Sequence, residues 1–305
     1  MIHGRLTARD PRVAYLLLVL TALFWAGNAI VGRALHATVP PITLSFWRWA
    51  LAAAVLIPFA WRDLARDRGA LLHAWPMMLV LSLLGIACFN TMLYIAAQTS
   101  TATNIALIQS ATPATIVILG ALLFGDRVSG SGILGVAVSL LGVGVIVLQG
   151  KLESLSQLRV GVGDLWMLAA VACYSLYSVL LRKRPAAHPV SFLTATFIVG
   201  ALMLLPLYLW DRGRHEIPTL SGGLLAGTIY VAVFPSILAY LFWNRGVEVI
   251  GSNRAGLFIC LVPVFAAVLA MVFLGEQLHV YHLVGLALIL GGFVLFNYSG
   301  KGSGS

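Results

Sequence analysis

Charged residues are scarce in this chain. Asp, Glu, Lys and Arg make up only 10% of its 305 residues, and hydrophobic residues make up 60%. An ordinary soluble domain carries about 25% charged residues. The chain therefore has too little charge to cover a surface in water, and its mean hydropathy of +0.97 is that of a protein whose helices lie in lipid. This composition excludes a soluble enzyme.

Titratable and reactive groups are equally sparse in the apolar runs. All ten acids and all seven histidines fall outside these runs or within about a turn of their ends. This distribution argues against a proton relay and against an export site for lipophilic cations, which would need a buried acid. The three cysteines show no C-x-x-C spacing, and no H-E-x-x-H, P-loop or Ser-His-Asp set lies at a plausible depth. We expect no catalytic residues, no metal and no cofactor.

The net charge of +9 does not indicate a nucleic-acid partner, because the basic residues form no basic face. They lie in short segments between apolar runs, where Lys and Arg record the orientation of membrane helices. With a cytoplasmic amino terminus, 13 of the 19 Lys and Arg lie on the cytoplasmic side, five lie outside, and Arg48 is within a span. We therefore expect both termini in the cytoplasm.

Ten apolar runs predict ten transmembrane helices, because each has about the 20 residues that cross a bilayer core. The runs lack the alternation of a β-barrel, so the predicted fold class is all-α and polytopic. The first run lacks a cleavage site and is expected to be a retained helix. The predicted spans are 13–35, 41–61, 74–97, 102–123, 130–149, 161–182, 190–210, 222–246, 252–273 and 279–298.

The chain repeats itself at an offset of about 150 residues. Pro113 matches Pro263, and Asp126 matches Glu276. Because each copy has five helices, the second enters the membrane from the opposite side, which predicts an inverted repeat around a central cavity. Asp126 is then cytoplasmic and Glu276 is outside. The predicted units are a cytoplasmic amino terminus (1–12), a first repeat (13–149), an outer linker (150–160), a second repeat (161–298) and a flexible tail (299–305).

Polar and aromatic residues inside the spans are candidates for a binding site, because polar groups in hydrocarbon face a bundle interior or a wet cavity. Trp25 and Asn28 share one face of the first helix, and Tyr174 and Tyr177 share the equivalent face of the sixth. The alternatives are interfacial aromatic belts and amides that bridge helices. The candidate substrate-binding residues are Trp25, Asn28, Asn90, Tyr94, Asn104, Gln109, Tyr174, Tyr177, Tyr240, Trp243 and Asn244.

Arg48 is the one basic residue within a span, roughly 10 Å below its outer end. It could contact a substrate carboxylate, snorkel outward or bond the carbonyl ends of neighbouring helices.

The fourth and ninth predicted spans each contain a proline, and each ends in a glycine-acid pair. Pro113 and Pro263 each remove a backbone donor, which predicts a kink or hinge and a freed carbonyl. Glycine closes a helix in the left-handed conformation, and the acid then caps or pairs at the water boundary. The predicted helix-end motifs are Gly125, Asp126, Gly275 and Glu276.

These features give the chain a family resemblance. Phe24-Trp25-Ala26-Gly27-Asn28, Arg48, and the segments from Pro113 to Asp126 and from Pro263 to Glu276 resemble the drug/metabolite transporter superfamily, in its ten-helix branch with two EamA-type copies. Within it, the chain looks most like bacterial inner-membrane exporters of aromatic and other amino acids, of the YddG type. The resemblance implies an inner-membrane carrier that works by alternating access.

We therefore predict a secondary transporter that exports amino acids and related small metabolites, with aromatic or apolar ones favoured. Its partners would be the small-molecule substrate and membrane lipid, and it would act as a monomer without nucleic acid. A carrier of sugar phosphates or nucleotide sugars is the alternative, but it would need several deep basic residues where only Arg48 is deep. A membrane-embedded enzyme is a further alternative, and it would turn over substrate in detergent.

Overall fold

The computed structural model describes residues 10–35, 39–100, 105, 108–148, 150–151, 153, 161–213, 222–274 and 279–298, and these ranges are helical without a strand. Ten helices follow one another. They are α1 (Pro11–Leu35), α2 (Pro41–His73), α3 (Trp75–Thr99), α4 (Ile108–Phe124), α5 (Gly130–Val147), α6 (Val162–Lys183), α7 (Pro189–Arg212), α8 (Gly222–Ile250), α9 (Ser252–Leu257 and Val262–Leu274, joined by the 3-10 turn Phe258–Leu261) and α10 (Val280–Tyr298).

The all-helical prediction is confirmed. Among the described residues, eight helical stretches are long and apolar enough to cross a membrane, and Ile108–Phe124 and Val280–Phe296 are shorter apolar helices. The ten helices match the ten predicted spans within a few residues, with one exception, α2. The predictions for 1–9, 299–305 and most of the outer linker lie outside the described residues.

The exception is the end of α2, which was predicted at residue 61 but lies at His73. The added turns are polar: Arg66 pairs with Asp63 at 2.8 Å along the helix. The carboxylate of Asp67 accepts the backbone N–H of His188 at 2.7 Å, at the start of α7. Hydropathy reports contact with lipid rather than helicity, so it could not detect a helix that continues beyond the apolar run.

The packing of α5 against α10 shows that the two repeats run in opposite directions. A Cβ atom added to Gly135 would lie 2.6 Å from the carbonyl oxygen of Gly292, and one added to Gly142 would lie 2.6 Å from that of Gly285. From Gly135 to Gly142 the residue numbers rise along α5, whereas those of their contacts in α10 fall from 292 to 285. The two helices are therefore antiparallel. Only glycine permits this approach, since a side chain would meet the backbone of the other helix.

Corresponding helices of the two repeats also pack in equivalent, inverted positions elsewhere in the bundle. Phe46 stacks on Tyr208 with 4.4 Å between ring centroids, and Trp49 lies 4.8 Å from Phe197, so α2 and α7 are also antiparallel. α1 packs against α8 as α6 packs against α3, and α1 packs against α9 as α6 packs against α4. The core of the protein therefore lies between two inverted copies of one five-helix unit.

Two π-helical turns mark the middle of α3 and α8. They span Leu83–Cys88 and Val233–Leu238, an offset of 150 residues. A π turn inserts one residue into the helix and frees a carbonyl from its regular partner. The freed carbonyls of Gly85 and Pro235 both accept side-chain donors at the centre of the bundle. The sequence analysis did not predict these turns.

Pro113 and Pro263, the two prolines predicted to kink their helices, both lie at the start of a regular helical segment. Pro113 follows a turn at Ala111, and Pro263 follows the 3-10 turn Phe258–Leu261. The carbonyl of Gln109 accepts the hydroxyl of Thr112 at 2.6 Å, so the bond lost to proline is replaced locally.

Gly125 ends α4 in the left-handed conformation, with φ of 67°, and its N–H bonds the carbonyl of Ala121 at 3.0 Å. The backbone N–H of Asp126 bonds Gly120 in the same cap. Such a closure needs glycine, because a Cβ atom strains this backbone region. Gly275 and Glu276, the matching pair of the second repeat, lie outside the described residues.

Candidate functional site

Arg48 points into the bundle. Its side chain is 1% exposed, whereas the neighbouring Trp47 is 50% exposed. One residue step rotates the side chain by about 100° around a helix, which carries Arg48 from the outer face to the core. The predicted alternative of outward snorkelling is therefore wrong in this structure.

The guanidinium of Arg48 is bound by three side chains of the first repeat. Its Nη1 donates to Oδ1 of Asn90 at 2.8 Å, to the hydroxyl of Tyr94 at 2.9 Å and to Oδ1 of Asn28 at 3.2 Å. These acceptors come from α1 and α3, so Arg48 joins three helices of one repeat. Asn28, Asn90 and Tyr94 were predicted to bind substrate, and the structure places all three around this arginine.

Arg48 also reaches across to the second repeat. Its Nε donates to the hydroxyl of Ser236 at 2.6 Å, and its Nη2 donates to the carbonyl of Pro235 at 3.2 Å. Both acceptors belong to the π turn of α8. The same Pro235 carbonyl accepts Nε1 of Trp25 at 3.3 Å. Within the described part of the chain, no carboxylate pairs with Arg48.

Five predicted aromatic residues pack together beside Arg48, and we refer to them as the aromatic cluster. The ring of Trp25 lies 5.4 Å from Tyr174 and 5.3 Å from Trp243. Tyr177 lies 5.7 Å from Tyr174 and 6.0 Å from Tyr240. All except the half-buried Trp25 are at most 2% exposed. A ligand enters this cluster only if the rings move apart, and the central cavity stays a prediction.

Each repeat contributes to a tyrosine–asparagine hydrogen bond beside the cluster, and the two residue types trade places between the two bonds. Tyr177 donates to Oδ1 of Asn244 at 2.8 Å, and Tyr94 donates to Oδ1 of Asn28 at 3.4 Å. An offset of 149 or 150 residues maps one pair onto the other, with tyrosine and asparagine swapped. The hydroxyl of Tyr240 donates to the carbonyl of Gly85 at 2.5 Å, in the π turn of α3. Both π turns therefore place a carbonyl at the centre.

Within the described ranges, three buried polar atoms near this centre have no hydrogen-bond partner. They are the indole Nε1 atoms of Trp49 and Trp243 and the hydroxyl of Tyr174. An indole nitrogen can only donate, so the centre contains unused donors. A buried donor without a partner costs about 1–3 kcal/mol, which a bound acceptor would recover.

A second cluster of polar side chains joins the two repeats at one end of the bundle, which we call the inner end. Arg182 donates from Nη1 to Oδ1 of Asp126 at 2.7 Å and from Nη2 to Oδ2, and Nη2 also reaches Ser252 at 3.0 Å. Asn253 donates from Nδ2 to Oδ2 of Asp126 at 3.1 Å. The Arg182 guanidinium holds the pKa of Asp126 below its ordinary value. This cluster joins α4 of the first repeat to α6 and α9 of the second.

The structure brings together most of the predicted binding residues. Asn28, Asn90, Tyr94 and Tyr240 join the Arg48 network, and the other aromatic residues and Asn244 adjoin it. Gln109 is half-buried on α4, outside that network, and Asn104 lies outside the described residues. Sequence reasoning missed Ser236 and Pro235, although the 150-residue offset aligns Pro235 with Gly85.

Comparison with known sequences gives two matches to one family. The EamA-like transporter family matches residues 12–148 and again residues 161–298. These two ranges coincide with the two inverted repeats.

Similar proteins are transporters by name. A protein of Archaeoglobus fulgidus described as an uncharacterized transporter is 29% identical, over 92% of this chain and 96% of its own length. The uncharacterized transporter YyaM of Bacillus subtilis is 26% identical over 91% of each chain. A solved crystal structure superposes with a TM-score of 0.78 at 19% identity, over 96% of this chain and 99% of the other, which shows a shared fold.

Proposed function

The chain belongs to the EamA-like transporter family, and from this premise we propose that it exports amino acids and related small metabolites across the bacterial inner membrane by alternating access. Transport rather than enzymatic turnover is its role, since the family and its relatives are transporters. The proposal adds the substrate, the direction and the mechanism.

The observation that carries the proposal is the aromatic cluster between the inverted repeats. Trp25 comes from α1, Tyr174 and Tyr177 from α6, and Tyr240 and Trp243 from α8, so the rings meet at the boundary that alternating access opens and closes. Ligand sites combine apolar walls with a few placed polar groups. Aromatic faces beside the amides of Asn28 and Asn90 suit a small metabolite with an apolar or aromatic side chain.

Alternating access is supported by the exchange symmetry of the packing. Two inverted copies can adopt two related arrangements, each closed at one end. The cluster of Asp126, Arg182, Ser252 and Asn253 links the repeats at the inner end, and in this proposal it keeps that end closed in one of the two arrangements. No acid or histidine lies mid-helix beside Arg48 in the described ranges, so we propose substrate-driven transport or exchange rather than proton coupling.

The proposed orientation places the inner end in the cytoplasm. This end holds the segments around Arg66, Arg182 and Arg184, which belong to the basic majority of the sequence. Positive residues flank the cytoplasmic ends of membrane helices. Both termini are then cytoplasmic, and the protein works as a monomer in this proposal.

Uptake into proteoliposomes tests the function. Purified protein is reconstituted with one of several labelled amino acids outside, and uptake is compared for Trp25→Ala, Tyr174→Ala and Trp243→Ala. We expect each variant to lose most of the uptake, while Trp47→Ala, a matched tryptophan at the outer face, keeps it. Unchanged uptake in all three variants would contradict the proposed site, and turnover of substrate in detergent would contradict a carrier.

A further inference from the structure

Arg48 carries a charge that the described part of the chain does not neutralise. Its acceptors are two amides, two hydroxyls and one backbone carbonyl, and all are neutral. Arginine stays protonated in proteins, so the group is a cation even where it is 1% exposed. A buried charge is costly unless an opposite charge accompanies it. The arrangement is therefore electrostatically incomplete without an anion.

The edge of the guanidinium formed by Nη1 and Nη2 is the part that can exchange its partners. Nη2 has two hydrogens and one acceptor, the carbonyl of Pro235 at 3.2 Å. Nη1 shares two hydrogens among three neutral acceptors, whereas Nε is fixed by Ser236 at 2.6 Å. A carboxylate binds such an edge through two parallel charge-assisted bonds, which are roughly twice as strong as neutral ones.

The surroundings of that edge offer further donors. The Pro235 carbonyl is shared by Arg48 and Trp25, and Trp25 packs on both Tyr174 and Trp243. The Trp49 ring lies 4.8 Å from the guanidinium carbon of Arg48, and its Nε1 has no hydrogen-bond partner among the described residues. Beyond Trp25, the Tyr174 hydroxyl and the Trp243 Nε1 also lack a partner there. Donors around a cation favour a ligand that brings acceptors and negative charge.

An ammonium group finds no comparable partner at this site. The described acids on the helices, such as Asp164, Asp211 and Glu248, lie near helix ends. An ammonium beside Arg48 would be repelled by the like charge, and only aromatic faces and neutral oxygens, such as Oδ1 of Asn28 and Asn90, could hold it. The site therefore tolerates an ammonium group without requiring one.

We propose that Arg48 is the receptor for the carboxylate of the substrate, and that the transported class is small apolar or aromatic monocarboxylates. Amino acids bind through their carboxylate end. This inference rests on the proposed function and narrows its substrate: the carboxylate is required, and the amino group is dispensable.

A matched set of four ligands tests the inference on the purified full-length protein. The probes are 3-phenylpropionate (carboxylate alone), phenylalanine (carboxylate and ammonium), phenethylamine (ammonium alone) and 3-phenylpropionamide (neither charge). Binding is measured by isothermal titration, and transport by counterflow in proteoliposomes. We expect 3-phenylpropionate to bind at least as tightly as phenylalanine, and the other two at least about tenfold more weakly.

Variants of Arg48 separate recognition from folding. Arg48→Lys keeps the charge and loses the two-pronged geometry, so we expect roughly 10- to 100-fold weaker carboxylate binding. Arg48→Gln removes the charge, and the preference for 3-phenylpropionate over its amide should disappear. A purely structural role would lower both affinities together and leave their ratio unchanged. Arg245→Gln, which removes a cation paired with Glu248, is the control.

The outcomes distinguish this inference from the proposed function. Phenethylamine binding as tightly as 3-phenylpropionate would overturn the inference while leaving an amino-acid or amine exporter. A carboxylate preference that persists in both arginine variants would also overturn it. If none of the four probes binds or shows counterflow, the inference and the proposed export of aromatic metabolites are both overturned. If Arg48→Gln fails to fold, the wild-type ligand series and Arg48→Lys still test whether Arg48 binds the carboxylate.

Discussion

The bond between Asp126 and Arg182 is expected to set how often the inner end opens. Asp126 lies at the end of α4 in the first repeat, and Arg182 lies at the end of α6 in the second, so the inner end cannot open while the pair is intact. Asp126→Asn keeps the shape of the side chain and removes its charge. The expected result is a shift of the closed state toward an inward-open one.

The size of the shift follows from the contacts. Asp126 accepts two bonds from Arg182 and one from Asn253. A hydrogen bond to a charged group contributes about 1.5–3 kcal/mol, and exposed ion pairs contribute about 0–1 kcal/mol. The Arg182 and Asp126 side chains are 29% and 19% exposed, so an intermediate value of about 1.4 kcal/mol is reasonable. That energy corresponds to roughly a tenfold larger open population.

A buried reporter measures that population. Ile116 on α4 is 0% exposed, and a Cβ atom at Gly256 of α9 would lie 3.1 Å from its side chain, so it faces the contact that opening separates. The I116C reporter is placed in a background without the three native cysteines, and a membrane-impermeant maleimide is applied from the inner side. We expect Asp126→Asn to raise the labelling rate about tenfold.

A matched control isolates the effect of joining the repeats. Glu248 pairs with Arg184 at 3.0 Å, but both residues belong to the second repeat. Glu248→Gln should therefore leave the labelling rate unchanged. Equal labelling rates in wild type and Asp126→Asn would refute the reasoning, as would an equal increase in the Glu248 variant.

Two further predictions use other parts of the structure. Gly142→Ala should lower the unfolding temperature in detergent and the free energy of unfolding by about 1–3 kcal/mol, because its Cβ would lie 2.6 Å from the Gly285 carbonyl oxygen. Gly144→Ala, whose Cβ would lie in open space, should leave the unfolding temperature unchanged. An equal drop of the unfolding temperature in both variants would contradict this prediction. The bonds from Arg182 hold the pKa of Asp126 below its ordinary value, so this carboxylate stays charged and supports the proposed closure at neutral pH, and it loses the effect only as the pH falls through the lowered pKa. The labelling rate of the I116C reporter is divided at each pH by the rate of the same variant in denaturant, which removes the change in thiolate fraction. This ratio should be flat from about pH 8 to 5, and a rise of the ratio within that range would argue against the ion pair.

Helix positions and the duplication could be predicted from the sequence because both depend on composition along the chain. Apolar length located the ten helices, and the order of proline, glycine and acidic residues located the repeat. The end of α2 was missed because Arg62 to His73 form a polar helix, to which hydropathy is blind.

The inward direction of the Arg48 side chain could not be predicted from the sequence. Trp47, Arg48 and Trp49 follow one another on a single turn of one apolar helix, and only the packing of α2 against α7 decides which of them face the core. The π turn Leu83–Cys88 carries no local signature, since its residues are typical of an ordinary apolar helix. The π turn Val233–Leu238 contains Pro235, which lacks a backbone N–H, and this signal was not used in the prediction. Their bonds to Arg48 and Tyr240 are tertiary and appear only in the folded chain.

The glycine seam between α5 and α10 has a mechanical consequence. Because the two backbones meet at Gly135 with Gly292 and at Gly142 with Gly285, neither helix can slide or tilt without a collision. In the proposed alternating-access cycle, we therefore expect α5 and α10 to keep their mutual packing while the other eight helices of the described chain move relative to them.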